Sequence, residues 1–233
     1  NLLWSSDLTR GEWSTFDDVT VEKREVTTPR GYSAFALIDD RTDKREEIHQ
    51  SISIPENGAR WTASVLVKKQ KGPVVSLVVN FIGSSILRSR VHLDPDTGNL
   101  AADDPNGIVE DYGAIREAGW WRLWISVKND GTANTLRHQM HPAYATSIAQ
   151  AEAGGSNNVT GRNPFAQPQV ESHVGSTSYV YTEETTASRG PGELRYEHEV
   201  EWDEPWAVGM WLRFNKSSAP AGDGDFALAV GGG

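Results

Sequence analysis

Short runs of apolar and β-branched residues are separated by clusters of Gly, Pro, Asn and Asp. The clusters recur about every ten residues, a rhythm that predicts an all-β sandwich. Strands are expected over 19–26, 32–38, 48–54, 61–68, 74–82, 86–93, 120–127, 136–140 and 168–174. In Ile48-His49-Gln50-Ser51-Ile52-Ser53-Ile54 the apolar residues take every second place, so one face is buried and the other wet. The run 74–82 is almost continuously apolar and predicts a central strand covered on both sides. Pro55-Glu56-Asn57-Gly58 and Asp94-Pro95-Asp96-Thr97-Gly98-Asn99 have the chemistry of tight turns: preset φ, side chain-to-backbone bonds and tolerance of positive φ. Helical composition is confined to 143–153, where a short helix is expected. A Gly/Ser/Asn-rich loop follows at 154–161.

Composition narrows the classes. The 233 residues hold 22 Lys+Arg against 32 Asp+Glu, a net charge of −10. That argues against nucleic-acid binding and against docking on anionic lipid, since both need basic patches. With no Cys, disulfides, Cys-ligated zinc and thiol nucleophiles are excluded. No apolar run reaches the roughly 18–20 residues that span a bilayer, so membrane insertion by a helix is not expected. A crowd of Glu, Thr, Ser, Gly and Pro marks a boundary near 182–192, beyond which a new β pattern starts. The expected organisation is a domain over 1–182, a linker over 183–193 and a partial β unit over 194–233. The last is small for an independent core. It is expected either to continue past Gly233 or to pack on a neighbour.

The strand 120–127 carries the most suggestive chemistry. Alternation puts Trp121, Leu123, Ile125 and Val127 on one face, a natural core. Trp120, Arg122, Trp124 and Ser126 share the other. Two indoles about 13 Å apart with a guanidinium between them could stack on sugar rings and donate to hydroxyls or carboxylates. A neighbouring strand could add Arg137, Gln139 and His141. Trp120, Arg122, Trp124, Arg137 and Gln139 are therefore the candidate glycan-binding residues. The bland alternative makes Trp120 and Arg122 framework residues under a cover.

Other motifs yield less. The loop from Asp94 fails the EF-hand pattern, with Asn99 and Pro105 where Gly and Glu are needed. A looser structural calcium site from Asp94, Asp96, Asp103 or Asp104 stays open; no other cofactor is expected. His138 and His141, three apart on a strand, point to opposite faces. No His-Glu-x-x-His, nucleophile elbow or phosphate loop occurs. Paired carboxylates for glycoside hydrolysis are available, but nothing singles out a pair.

An ordered set of motifs resembles a known family. Asn1-Leu2-Leu3 and Trp13-Ser14 open the chain, then come Trp61-Thr62-Ala63-Ser64-Val65-Leu66-Val67-Lys68 and Leu93-Asp94-Pro95-Asp96-Thr97-Gly98. Gly119-Trp120-Trp121-Arg122 and the stretch from Gln169 to Thr182 complete it. The order is similar to the jelly-roll, carbohydrate-binding-module-like domain of phage virion proteins, such as tail and head fibres or spikes. Residues after Thr182 resemble the start of a concanavalin A-like domain. The resemblance implies a β-sandwich that builds virions or touches host glycans, without catalysis, and it favours a framework role for Trp120 and Arg122. An insert around 143–161 departs from the pattern.

Three functional expectations follow. The first is a non-enzymatic virion component (fibre, spike or decoration protein) at the virion surface, active in host adsorption. Its partners would be other virion proteins or copies of itself, with host cell-surface polysaccharide as a further ligand. The second is a carbohydrate-binding module of a secreted, extracellular polysaccharide-degrading enzyme. The third, a hydrolase or lyase with unassigned carboxylates, ranks last.

Overall fold

The computed structural model describes residues 3, 7–72, 74–155, 159–173, 175, 176, 179 and 182, with backbone alone at 24–26. The linker expected over 183–193 and the unit expected over 194–233 lie outside the described residues.

The architecture is a jelly-roll β-sandwich. Its strands are β1 (Ser14–Phe16), β2 (Thr20–Thr27), β3 (Ser33–Asp39), β4 (Glu47–Ser53), β5 (Arg60–Val67) and β6 (Val74–Ile82). They continue with β7 (Ile86–Leu93), β8 (Leu100–Asp103), β9 (Val109–Glu117), β10 (Trp120–Lys128), β11 (Thr135–Ala145) and β12 (Gly161–Glu171). One six-stranded sheet has the order β1-β4-β11-β6-β7-β8, the other β2-β3-β12-β5-β10-β9. All pairings are antiparallel.

The core between the sheets follows the period-2 pattern. Ile48 and Ile52 of β4 point inward with Val75, Leu77, Val79 and Phe81 of β6. They meet Val65, Leu123, Ile125 and Val127 of the opposite sheet. Strand β6 is buried along nearly its whole length, as its continuous apolar run predicts. His138 is a polar guest in this core, edge-on to Trp13 at 5.9 Å. Burial lowers its pKa to about 4, so it stays neutral near pH 7.

Two tryptophans of β10 lean on glycine, one in a turn and one in the next strand. The Trp121 indole donates to the Pro95 carbonyl at 3.0 Å and covers Gly98, which has φ +78. A Cβ at Gly98 would stand 2.5 Å from the ring. Trp124 lies flat on Gly113 of β9, where a Cβ would stand 2.3 Å away.

Several boundaries differ from the expectation. The helix is only Ile148–Glu152 (α1), because Ala143, Tyr144 and Ala145 extend β11, with Tyr144 and Ala145 buried against Val74. Ser147 caps α1 by accepting from the Gln150 amide, and Gln150 accepts back from Thr146. Strand β12 begins at Gly161 rather than 168. Asn163 and Pro164 read as breakers, yet the Asn163 amide donates to the Pro142 carbonyl and its oxygen accepts from the Gln70 amide. Strands β8 and β9 have no clear apolar alternation and went unexpected.

Candidate functional site

Strands β4, β11, β6 and β7 lie side by side, and their outward residues form rows across the sheet. One row runs Ser51, Arg137, Asn80, Arg88. The next runs His49, Gln139, Val78, Arg90. Beside them lie His141 and Glu47, then His92. The floor is a hydrogen-bonded chain. Arg88 donates to Asn80 at 2.7 Å, and Asn80 donates to Gln139 at 2.8 Å. Gln139 in turn donates to Glu47, and its amide nitrogen lies 3.0 Å from His141 Nε2. Arg88, Gln139, Glu47 and His141 line a cleft of about 340 Å³, and Asn80 is buried beneath them. Phe16 of the edge strand β1 stands at its rim, 56% exposed.

The insert supplies the far wall. Tyr144 stacks on His92 at 4.7 Å and meets His141 edge-on at 5.3 Å. Arg45 lies over the Tyr144 ring and donates to the Gly154 carbonyl at 2.7 Å. Burial lowers the pKa of His92 to about 3 and of His141 to about 4, and neighbouring arginines add to the shift in both. Both imidazoles are therefore neutral at pH 7, and each keeps one ring nitrogen without a hydrogen-bond partner. Burial pushes the Glu47 carboxyl up, but His49, His141 and Arg88 outweigh it and hold it below the usual carboxylate range.

The outer face of the other sheet is covered by the chain itself. Trp120 is 2% exposed and packs with Ala34, Leu66 and Ala166, with Lys68 over its ring. Arg122 is 5% exposed and donates through both terminal nitrogens to the Gln167 carbonyl and side chain. Gln167 holds φ +52, a left-handed conformation that costs a non-glycine residue energy and persists only where neighbours impose it. Burial lowers the Arg122 pKa to about 10, which leaves it charged at pH 7. Over β5 and β10 runs the segment after β12. Thr62 donates to the His173 carbonyl, and the Gly175 amide donates to Ser126.

The five sequence candidates are thus not one site. Trp120, Arg122 and Trp124 belong to β10; Arg137 and Gln139 belong to β11, in the opposite sheet. The neighbour of β10 is β5 on one side and β9 on the other, so β11 cannot extend its face. Trp120 and Arg122 occupy framework positions, and Trp124 is half-buried against Gly113.

No protein-family model matches the chain, and no curated protein matches it. Solved structures do. The enzymatically active domain of tailspike protein 4 from bacteriophage CBA120 is 11% identical, with a TM-score of 0.44 over 72% of this chain and 20% of that one. This chain therefore spans a fifth of the tailspike chain. The CBM22-1 xylan-binding domain from Paenibacillus barcinonensis is 12% identical, with a TM-score of 0.43 over 73% of this chain and 93% of that one. The CBM22-1 and GH10 modules of a Clostridium thermocellum endo-1,4-beta-D-xylanase, complexed with xylohexaose, are 16% identical with a TM-score of 0.40. They match over 73% of this chain and 28% of that one. Identities and scores this low carry no ligand from those proteins to this one.

The acids considered for calcium are already engaged. Asp94 accepts from the Asp96 amide and the Thr97 hydroxyl, Asp103 pairs with Arg90, and Asp104 accepts from Ser89, Ile108 and Val109. Among the described residues no group of three or more His, Asp or Glu side chains is placed to hold a metal ion. Sequence reasoning missed Phe16, Glu47, Arg88 and Arg45 in the cleft. The departing insert around 143–161 was the available signal, since it builds the cleft wall.

Proposed function

We propose that this chain is a carbohydrate-binding β-sandwich module that takes its ligand in the cleft over β4, β11, β6 and β7, without catalysing a reaction on it. The observation that carries the reading is the exposed Phe16 ring beside a floor of fixed donors and acceptors. A sugar ring has C–H faces that pack on aromatic carbon and hydroxyl edges that need amide and guanidinium partners. This cleft offers both within one concavity.

The ordered motifs support a setting at the surface of a phage or phage-like virion, as part of a fibre, spike or decoration protein. There the module would assemble with virion proteins or with copies of itself and contribute to host adsorption. The alternative setting is a carbohydrate-binding module of a secreted polysaccharide-degrading enzyme. Mass spectrometry of purified particles decides between them: peptides of this chain in the particle support the first, and their restriction to secreted enzyme supports the second.

Affinity electrophoresis against a polysaccharide panel tests the binding itself. Phe16→Ala is expected to abolish retardation, and Trp124→Ala, on the covered sheet, to leave it unchanged in whatever fraction folds. Retardation lost with Trp124→Ala but kept with Phe16→Ala, in folded protein, would move the site to the other sheet.

A further inference from the structure

We infer that the ligand of this cleft is an anionic polysaccharide, one bearing carboxylate or phosphate groups along its chain. The inference rests on the glycan-binding reading and adds the chemical class. Its basis is a local excess of positive charge in a protein whose net charge is −10.

The cations around the cleft fall into two groups. Lys44 is paired with Asp17 at 2.9 Å, and Arg90 with Asp103. The nearby Asp43 is taken by Arg41 at 3.0 Å. Arg45, Arg88 and Arg137 have no carboxylate within ion-pair distance among the described residues. Their partners are neutral: the Gly154 carbonyl, the Asn80 side chain at 2.7 Å and the Ser51 hydroxyl at 3.3 Å. Glu47 lies in the floor, but its carboxylate is turned to Gln139, His141 and His49.

The arrangement of Arg88 and Arg137 matters as much as their charge. Each bonds through Nε only, which orients the guanidinium while leaving both terminal nitrogens free to donate. That is the fork that grips a carboxylate or phosphate with two parallel bonds. The two residues flank Asn80 in one row, two strands apart, so their Cα atoms stand roughly 10 Å apart. Two such forks along one row suit a polymer that repeats its charge. Three guanidiniums around the single Glu47 carboxylate leave a net positive charge, whose repulsion an anionic ligand would relieve. A neutral glycan would leave that repulsion in place.

The test uses the full chain, four polysaccharides (polygalacturonate, its methyl ester, dextran phosphate and neutral konjac glucomannan) and polyadenylate as a polyanion of another class. Affinities are measured by isothermal titration at low and at moderate salt. Wild type is expected to bind polygalacturonate or dextran phosphate at least tenfold more tightly than the ester or glucomannan, with the advantage shrinking as salt rises. The better of the two acidic polymers identifies the anion. Arg88→Gln with Arg137→Gln is expected to erase the advantage while the melting temperature persists; Lys128→Gln, outside the cleft, should change nothing. Equal affinity for acidic and neutral polymers would overturn the inference and leave the glycan reading standing. Binding to none of the four would remove both. Equal binding of polyadenylate would overturn the inference as well, since the cleft would then answer to charge alone.

Discussion

The two outer faces of the sandwich each carry an outward arginine between polar or aromatic neighbours and put it to different use. On β10, Trp120, Arg122 and Trp124 alternate along one strand; on β11, Arg137, Gln139 and His141 do the same. What separates them is what lies on top. The β10 face is crossed by the segment after β12, and Arg122 spends its donors on Gln167. On the β11 face Gln139 and His141 are as buried as Arg122, but Arg137 and Arg88 line a cleft between β1 and the insert and keep free donors. An arginine on a strand is a ligand contact or a clamp according to its cover, and alternation along the strand cannot tell which.

The largest way to break this comparison is to remove the clamp. Arg122→Ala leaves the strained Gln167 carbonyl and amide buried without their charged partner. Loss of a buried charged hydrogen-bond network of this kind costs about 3 kcal/mol or more. Denaturant unfolding should show that loss, while polysaccharide affinity of the folded fraction stays within about twofold. A variant as stable as wild type would mean that Gln167 keeps its conformation unaided.

Acid sharpens the contrast next. The open face rests on His92 and His141, whose folded pKa values lie at about 3 and about 4, and His138 lies in the core beneath at about 4. Between roughly pH 4 and pH 6.5 the unfolded chain binds protons at these positions and the folded chain does not. Stability therefore rises with pH across that window, by at most about 1.4 kcal/mol per pH unit for each histidine. Asp39 works against it. Burial beside Glu46 raises its pKa to about 7, so in the same window the folded state holds the extra proton and stability falls as pH rises. Asp39→Asn should make the measured rise of stability with pH steeper. Hydrogen exchange at mildly acidic pH should open β11 and β7 before β10, where Arg122 does not titrate in this range. A shallower profile in Asp39→Asn would refute the assignment of that proton.

Packing gives a smaller effect. Gly113→Ala puts a methyl into the Trp124 indole, at a distance of 2.3 Å before relaxation. Overpacking of this kind costs about 1–3 kcal/mol. A loss in that range, with glycan affinity intact, would confirm that Trp124 is a wall and not a platform. The change in indole fluorescence reports on the same contact.

These contrasts explain what could be read from the chain. The alternation of Ile48, Ile52 and Ile54, the continuous run of β6 and the core parity of Leu123, Ile125 and Val127 are local, and each survives in the fold. The opposite facing of His138 and His141 survives for the same reason. Strand β9 was silent because Val109–Glu117 is an edge strand with exposed Tyr112 and Ile115, so little of it needs an apolar face. Of the cleft, only part was legible. Parity put Arg137 and Gln139 outward, and the structure sets both in its lining. The grouping with β10 failed because sheet order is a long-range property: Arg88 and Glu47 stand beside them by the pairing of β7, β6, β11 and β4, which no spacing in sequence announces.

The finest test is Gln139→Leu, which keeps the shape of the floor and removes its hub. Gln139 accepts from Asn80, donates to Glu47 and sits beside His141. The lost bonds leave Asn80, which is buried, without its acceptor, while Glu47 lines the cleft, where water can replace its lost donor, so the expected stability cost is about 1–2 kcal/mol. Affinity should fall much further, by tenfold or more, because Arg88 loses its fixed orientation when Asn80 is released. A small stability change with a large affinity change is the signature of an open face; Arg122→Ala should give the reverse. If Gln139→Leu binds as wild type does, the floor is not where the ligand rests, and the cleft over β11 is no more a recognition surface than the covered face of β10.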